Sequence, residues 1–131
     1  LWFVNVRRTR YYCPVELAVD VIGGKWAVVV LAHLKDGAHR YGELRRRMPD
    51  VSEKVLTTRL RELETAGLVE RTSDGGTPPA VSYRLSADAA ELAPALQILY
   101  DWGSRRAKAD GIPIEPVADR PHDTGELPPT G

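Results

Sequence analysis

A single cysteine, Cys13, stands among 131 residues, so no disulfide can form within the chain. That scarcity fits a reducing compartment, and a cytoplasmic location is expected. Long apolar runs are missing as well. The longest, Trp26 to Ala32, has the length of a buried helix and not of a membrane span, so no membrane partner is expected. The opening "LWFVNVRR" puts its basic residues after the apolar ones, the reverse of a secretory signal. Net charge is absent too, with 18 Lys+Arg against 18 Asp+Glu. Metal ligands are few: His33, His39 and His122 lack ligand spacing. "VIGGKW" lacks the earlier glycine, and the Ser or Thr after lysine, that a phosphate-binding P-loop needs. No Ser–His–acid arrangement can be argued. Neither an enzyme nor a cofactor or metal site is expected.

The neutral total hides an asymmetry. From residue 110 onward Asp110, Glu115, Asp119, Asp123 and Glu126 face Arg120 alone, which leaves residues 1–109 with 17 Lys+Arg, 13 Asp+Glu and a net charge of +4. Arg7, Arg8 and Arg10 cluster near the start, and Arg40, Arg45, Arg46 and Arg47 in the middle. Such patches attract phosphate, although many solvated surfaces look the same.

The length suits about one domain. Residues 1–12 read as an arm without a clear period. "CPVELAVDVIGG" predicts a helix with Pro14 in its first turn and glycines as its stop. "KWAVVVLAHLKDG" is apolar on nearly every side, which predicts a central helix closed by Gly37. "HRYGELRRRMPD" predicts a short third helix with Tyr41, Leu44 and Met48 turned inward and Pro49 ending it. Ser52 can cap a fourth helix that ends at Ala66–Gly67. "LVERT" and "VSYRL" predict two short strands joined by "SDGGTPPA". Ser86 can cap a last helix bearing Leu92, Leu96, Leu99 and Trp102, with a kink at Pro94. Residues 13–109 are thus expected to form the domain, and the Pro-rich acidic tail 110–131 is expected to be disordered.

The expected fold class is mainly α (α+β): a winged helix-turn-helix with an added C-terminal dimerisation helix. On the fourth helix Leu56, Leu60 and Leu63 fall on one stripe. Lys54, Thr58, Arg61 and Thr65 lie opposite, with Thr57 at the edge. The leucines would seat the helix on the core and leave the other face for a DNA major groove. An ordinary solvated face is the competing reading; the hairpin after this helix and the basic helix before it favour DNA.

The segments "CPVELAVDVIGGKW", "YGELRRRMPDVSEKVLTTRLRELETAGLVER", "PPAVSYRLS" and "LYDWG" together resemble the HxlR family of bacterial transcription regulators, over about residues 13–103. The resemblance implies a winged-helix homodimer on a two-fold symmetric operator, with repression as the expected sense. It implies dimerisation through the first and last helices, which makes Leu17, Val21, Leu96, Leu99, Tyr100 and Trp102 the candidates for the seam. Ser52, Glu53, Lys54, Thr57, Thr58 and Arg61 are the expected base readers. Lys25, Arg40, Tyr41, Arg45, Arg59, Arg71 and Arg84 are the expected phosphate contacts. Many members carry a basic residue after the wing prolines where this chain has Ala80, which leaves Arg71 and Arg84 as substitutes. Many also have Gly where this chain has Ala89, a change that suits a helix.

Cys13 precedes Pro14 at the predicted helix start, where unpaired N–H groups and the helix dipole would favour a thiolate. Several relatives with cysteine here sense quinones, aldehydes or oxidants, so the resemblance makes Cys13 a candidate thiol sensor. The plainer reading is a small residue packing the seam. Two other functions stay open. One is a regulator answering a small-molecule effector bound between the central helices and the last helix, with Cys13 inert. The other is a winged-helix module that binds protein and not DNA.

Overall fold

The computed structural model describes residues 10–116. Residues 1–9, which hold most of the expected arm, and residues 117–131, which hold most of the expected tail, lie outside the described part. Chain order is α1 (Pro14–Ile22), α2 (Lys25–Leu34), β1 (His39–Arg40), α3 (Tyr41–Arg47), α4 (Glu53–Thr65), β2 (Val69–Ser73), β3 (Val81–Leu85), α5 (Ala87–Ala90) and α6 (Ala93–Asp110). This is the winged helix-turn-helix, with α3 and α4 as the two-helix unit and β2–β3 as the wing.

The centre is α2, whose Ala27, Val30, Leu31 and Leu34 are all buried. Leu56, Leu60 and Leu63 of α4 close over it, joined by Leu44 and Met48, by Val69 and Tyr83 of the sheet, and by Leu96 of α6. The fourth helix begins where Ser52 Oγ accepts from Val55 N–H at 3.1 Å. It ends in a Schellman turn: Gly67 takes φ of +77°, Leu68 N–H bonds the Leu63 carbonyl, and Gly67 N–H bonds that of Glu64. The reversal delivers the chain directly into β2.

Three strands form where two are expected from sequence. The sheet is antiparallel in the order β1-β3-β2, with Tyr83 of β3 opposite His39 on one side and Arg71 on the other. A two-residue strand has no period to read, and β1 exists because Ser82 and Tyr83 offer it a partner edge. The last helix also departs from expectation. Instead of one helix kinked at Pro94, a short α5 stops before it and Pro94 sits in the first turn of α6. Proline lacks the N–H that would continue α5 but costs nothing at a helix start, where that N–H has no partner. The sixth helix then runs to Asp110 and closes on Gly111, at φ of +68°. Ala89 is fully buried in α5. Among the described residues, no helix is long and apolar enough to cross a membrane.

Ser86 ties the two halves of the fold together. Its Oγ donates to the Gly67 carbonyl at 2.7 Å and accepts from Ala89 N–H at 3.1 Å, so one buried hydroxyl serves the end of α4 and the start of α5. Ser86→Ala removes both bonds and leaves buried groups unsatisfied, and a loss of about 1–3 kcal/mol is expected in denaturant unfolding.

Candidate nucleic-acid interface

Two contacts fix the angle between α3 and α4. Arg45 Nη1 donates to the Val51 carbonyl at 2.7 Å, bracing the turn, and the Tyr41 hydroxyl lies 3.2 Å from Thr57 Oγ1. Tyr41, Arg45 and Thr57, expected as DNA contacts, are half-buried and also bond within the fold. With the leucines inward, Lys54, Thr58, Arg61 and Thr65 form one exposed stripe along α4, and Ser52 and Glu53 stand exposed at its start. The Thr58 hydroxyl donates back to the Lys54 carbonyl at 2.8 Å, which leaves its oxygen as an acceptor.

Sheet alternation sorts the remaining arginines. Arg71 points to the same face as Tyr83, toward the helices, because the two are register partners. It shares one cleft with Arg61, Glu64 and Thr65, and another with Arg40, Tyr41 and Ala80. The wing base thus links the exposed stripe of α4 to the start of α3 through Arg61, Arg71 and Arg40. Arg84, expected beside them, lies on the opposite face of the sheet. Its Nε bonds Glu70 at 2.9 Å, and it borders the loop after α2 and the start of α6. One residue of register separates the two faces, and composition alone cannot assign it. Arg59 is ion-paired to Glu62 on the flank of α4 away from Thr57. Lys25 rests over the ring of Trp26, 4.6 Å from its centre.

Two carboxylates absent from the expected site prove central to its shape. Asp74 closes the wing tip: its Oδ1 accepts from Gly76 N–H at 2.8 Å and Ala80 N–H at 2.9 Å, around Gly75 at φ of +74°. Those two bonds, helped by the charge of Arg40, hold its carboxyl below the ordinary value. The Ala80 position is thus a backbone anchor of the tip. Glu43 accepts from Arg40 N–H at 3.0 Å and pairs with His39 Nδ1 at 3.1 Å, fixing the residue that leads into α3. The wing tip is built within its own few residues, whereas Glu43 reaches back to β1.

Cys13 is the N-cap of α1 and is exposed. The nine-residue helix that follows has no fully buried residue, with Val15 65% and Val19 57% exposed. On α6, Ile98, Leu99 and Trp102 form an exposed stripe at helical spacing, Trp102 at 55%. Leu96, expected on the seam, is instead 4% exposed within the protomer's own core. Tyr100 turns toward α2, where Lys35 Nζ lies 5.0 Å from its ring centre.

The HxlR-like helix-turn-helix family model matches residues 21–110. This chain belongs to that family. An uncharacterised HTH-type transcriptional regulator of Methanothermobacter thermautotrophicus is 45% identical over 94 residues, which span 72% of each chain. The redox regulator HypR in its reduced form superposes with a TM-score of 0.68 at 39% identity, over 76% of this chain and 99% of that one. Diamide-treated YodB from B. subtilis gives 0.56 at 32% identity, over 73% and 96%. The chain is a DNA-binding transcriptional regulator and not an enzyme. In this HxlR-like regulator the stripe of α4 and the base of the wing are the surface described above.

Burial alone pushes the Glu43 carboxyl up, but the Arg40 N–H, the His39 bond and the charges of His39 and Arg47 outweigh it and hold the group below the ordinary glutamate value. A lowered folded-state value contributes stability above the unfolded value, and this is lost as pH falls through the folded one. Glu43→Gln is therefore expected to be less stable than the parent at neutral pH, with the gap closing in acid. Denaturant unfolding from neutral pH to about pH 3 reads this; a gap independent of pH would refute the role of the ionised carboxylate.

Proposed function

We propose that this regulator acts as a homodimer reading a two-fold symmetric operator, with repression as its sense and the cytoplasm as its place of action. The observation that carries the reading is the exposed stripe Lys54, Thr58, Arg61 and Thr65, held opposite a fully buried leucine stripe. Lys54 and Arg61 donate to base edges, Thr58 accepts, and Ser52 and Glu53 reach the first bases at the helix start. Thr57, tied to Tyr41, lies at the margin of the base-reading set. Arg40 and Arg71 position the phosphate backbone. A second copy is supported by α1, which is too short to be stable alone and buries nothing fully within the protomer. Leu17, Val21, Leu99 and Trp102, extended by Val15, Val19 and Ile98, form the seam. Two recognition helices related by a two-fold axis then meet half-sites about 34 Å apart.

Selection of random duplexes by the reduced protein tests the reading, and a palindrome is the expected product. On that duplex, Arg61→Ala is expected to erase about 1–3 kcal/mol of discrimination at one base pair. Arg71→Ala should weaken all duplexes alike and lower the salt slope by about 1. Equal loss on every sequence from Arg61→Ala would remove it from the base readers.

A thiol-responsive mode is favoured by one observation: Cys13 is exposed at the first turn of the helix that carries the seam. The similarity to the redox regulator HypR supports it. Electrophiles or diamide are expected to change operator affinity of the parent and to leave Cys13→Ser unaffected. Equal responses of the two proteins would sink this mode.

A further inference from the structure

A cleft of about 570 Å³ opens between the end of α2, the middle of α6, the last residue of α3 and the segment 114–116. Its size lies within the range of small-molecule sites. The inner wall is cationic. The Lys35 side chain is only 10% exposed and stands over the Tyr100 ring, and Arg47 lines the same cleft. Lys35 Nζ donates to the Ala32 carbonyl at 3.4 Å and to Asp36 at 3.2 Å. With two N–H groups on these oxygens and the Tyr100 ring beside it, the ammonium presents its positive charge to the cleft. The carboxylates sit at the rim: Asp36 is 79% exposed on its side chain, and Glu115 is exposed. Ala32, Tyr100, Ile114 and Pro116 supply the apolar surface.

We propose that this cleft binds a small aromatic anion, a carboxylate or sulfonate on a one- or two-ring body, and that its occupancy is linked to DNA binding. The anionic group is placed by Lys35 and Arg47, and the ring lies against Tyr100 and Ile114. An anionic group adds an ion pair with Lys35 and Arg47 that a neutral ring cannot make, and a cation would be repelled by both. The linkage follows from position. Arg47 ends α3, and α3 holds the recognition helix through the Tyr41–Thr57 and Arg45–Val51 contacts. Tyr100 belongs to α6, so one ligand touches both the helix that sets the DNA-reading unit and the helix that carries the proposed seam. Only the linkage rests on the DNA-binding reading; the site stands apart from it.

The test uses the full chain, reduced, titrated with 1-anilinonaphthalene-8-sulfonate and followed by fluorescence. N-phenyl-1-naphthylamine is the same ring body without the sulfonate. Saturable binding at one site per protomer is expected, with the uncharged probe about tenfold weaker or worse. Lys35→Met and Arg47→Gln should each weaken the sulfonate about tenfold, with folding confirmed by thermal unfolding. The sulfonate should also shift affinity for the selected duplex, and the duplex should shift sulfonate affinity by the same factor. Equal binding of both probes, binding untouched by the two substitutions, or no saturable binding would overturn the site. Indifference to Lys35→Met and Arg47→Gln together with loss on Trp102→Ala would assign the probe to the apolar stripe instead. Saturable binding that alters affinity for no duplex would overturn the linkage. Because the titration needs no DNA, failure of the site and failure of operator reading are seen separately.

Discussion

The packing of Leu56, Leu60 and Leu63 against α2 fixes the height and rotation of α4, and so the direction in which Lys54, Thr58 and Arg61 project. At 100° per residue a helix cannot bury those three leucines without presenting the opposite stripe to solvent. The core therefore specifies which face of α4 stays exposed. Braces then remove the remaining freedom: Ser52 fixes the start of the helix, Arg45 the turn before it, and the Gly67 reversal the exit into the wing. Ser86 joins that exit to α5, so the wing and the last two helices share one anchor with the recognition helix.

Charge in this region does two kinds of work, and the folded backbone decides which residue does which. Arg45, Arg59 and Arg84 are spent on a carbonyl, on Glu62 and on Glu70. Arg61 and Arg71 line an open cleft together, and Arg40 stands nearby at the start of α3. Glu43 and Asp74 add negative charge close to Arg40 and the wing, yet each is engaged by backbone N–H that it organises. Their cost in repulsion is offset by holding Arg40 and the wing tip in place.

Much of this was legible in the sequence because it is local. The leucine period, the Ser52 cap, the Gly67 stop and the hairpin flanking "SDGG" all lie within a few residues of what they determine. The rest depends on contacts distant along the chain. The β1 strand needs the edge of β3, and the facing of Arg84 needs a register. Leu96 and Tyr100 sit on one helix with Leu99 and Trp102, and only the packing of α6 on α2 separates core and cleft from outward stripe. Pro94 is expected from sequence as a kink within one helix, and its place at a helix start depends on α5 having already ended.

The commitment of Arg45, Arg59 and Arg84 within the fold has a consequence for the ions around DNA. Each phosphate neutralised by a protein cation releases condensed counterions, and affinity falls with salt in proportion to their number. On the proposed reading Arg40 and Arg71 are the phosphate contacts of each protomer, and the four of a two-fold dimer give a logarithmic salt slope of about 4. A slope of that size lowers affinity roughly a hundredfold when salt rises fourfold. On that reading charge positions the protein on any duplex, and the choice of site is left to the exposed stripe of α4.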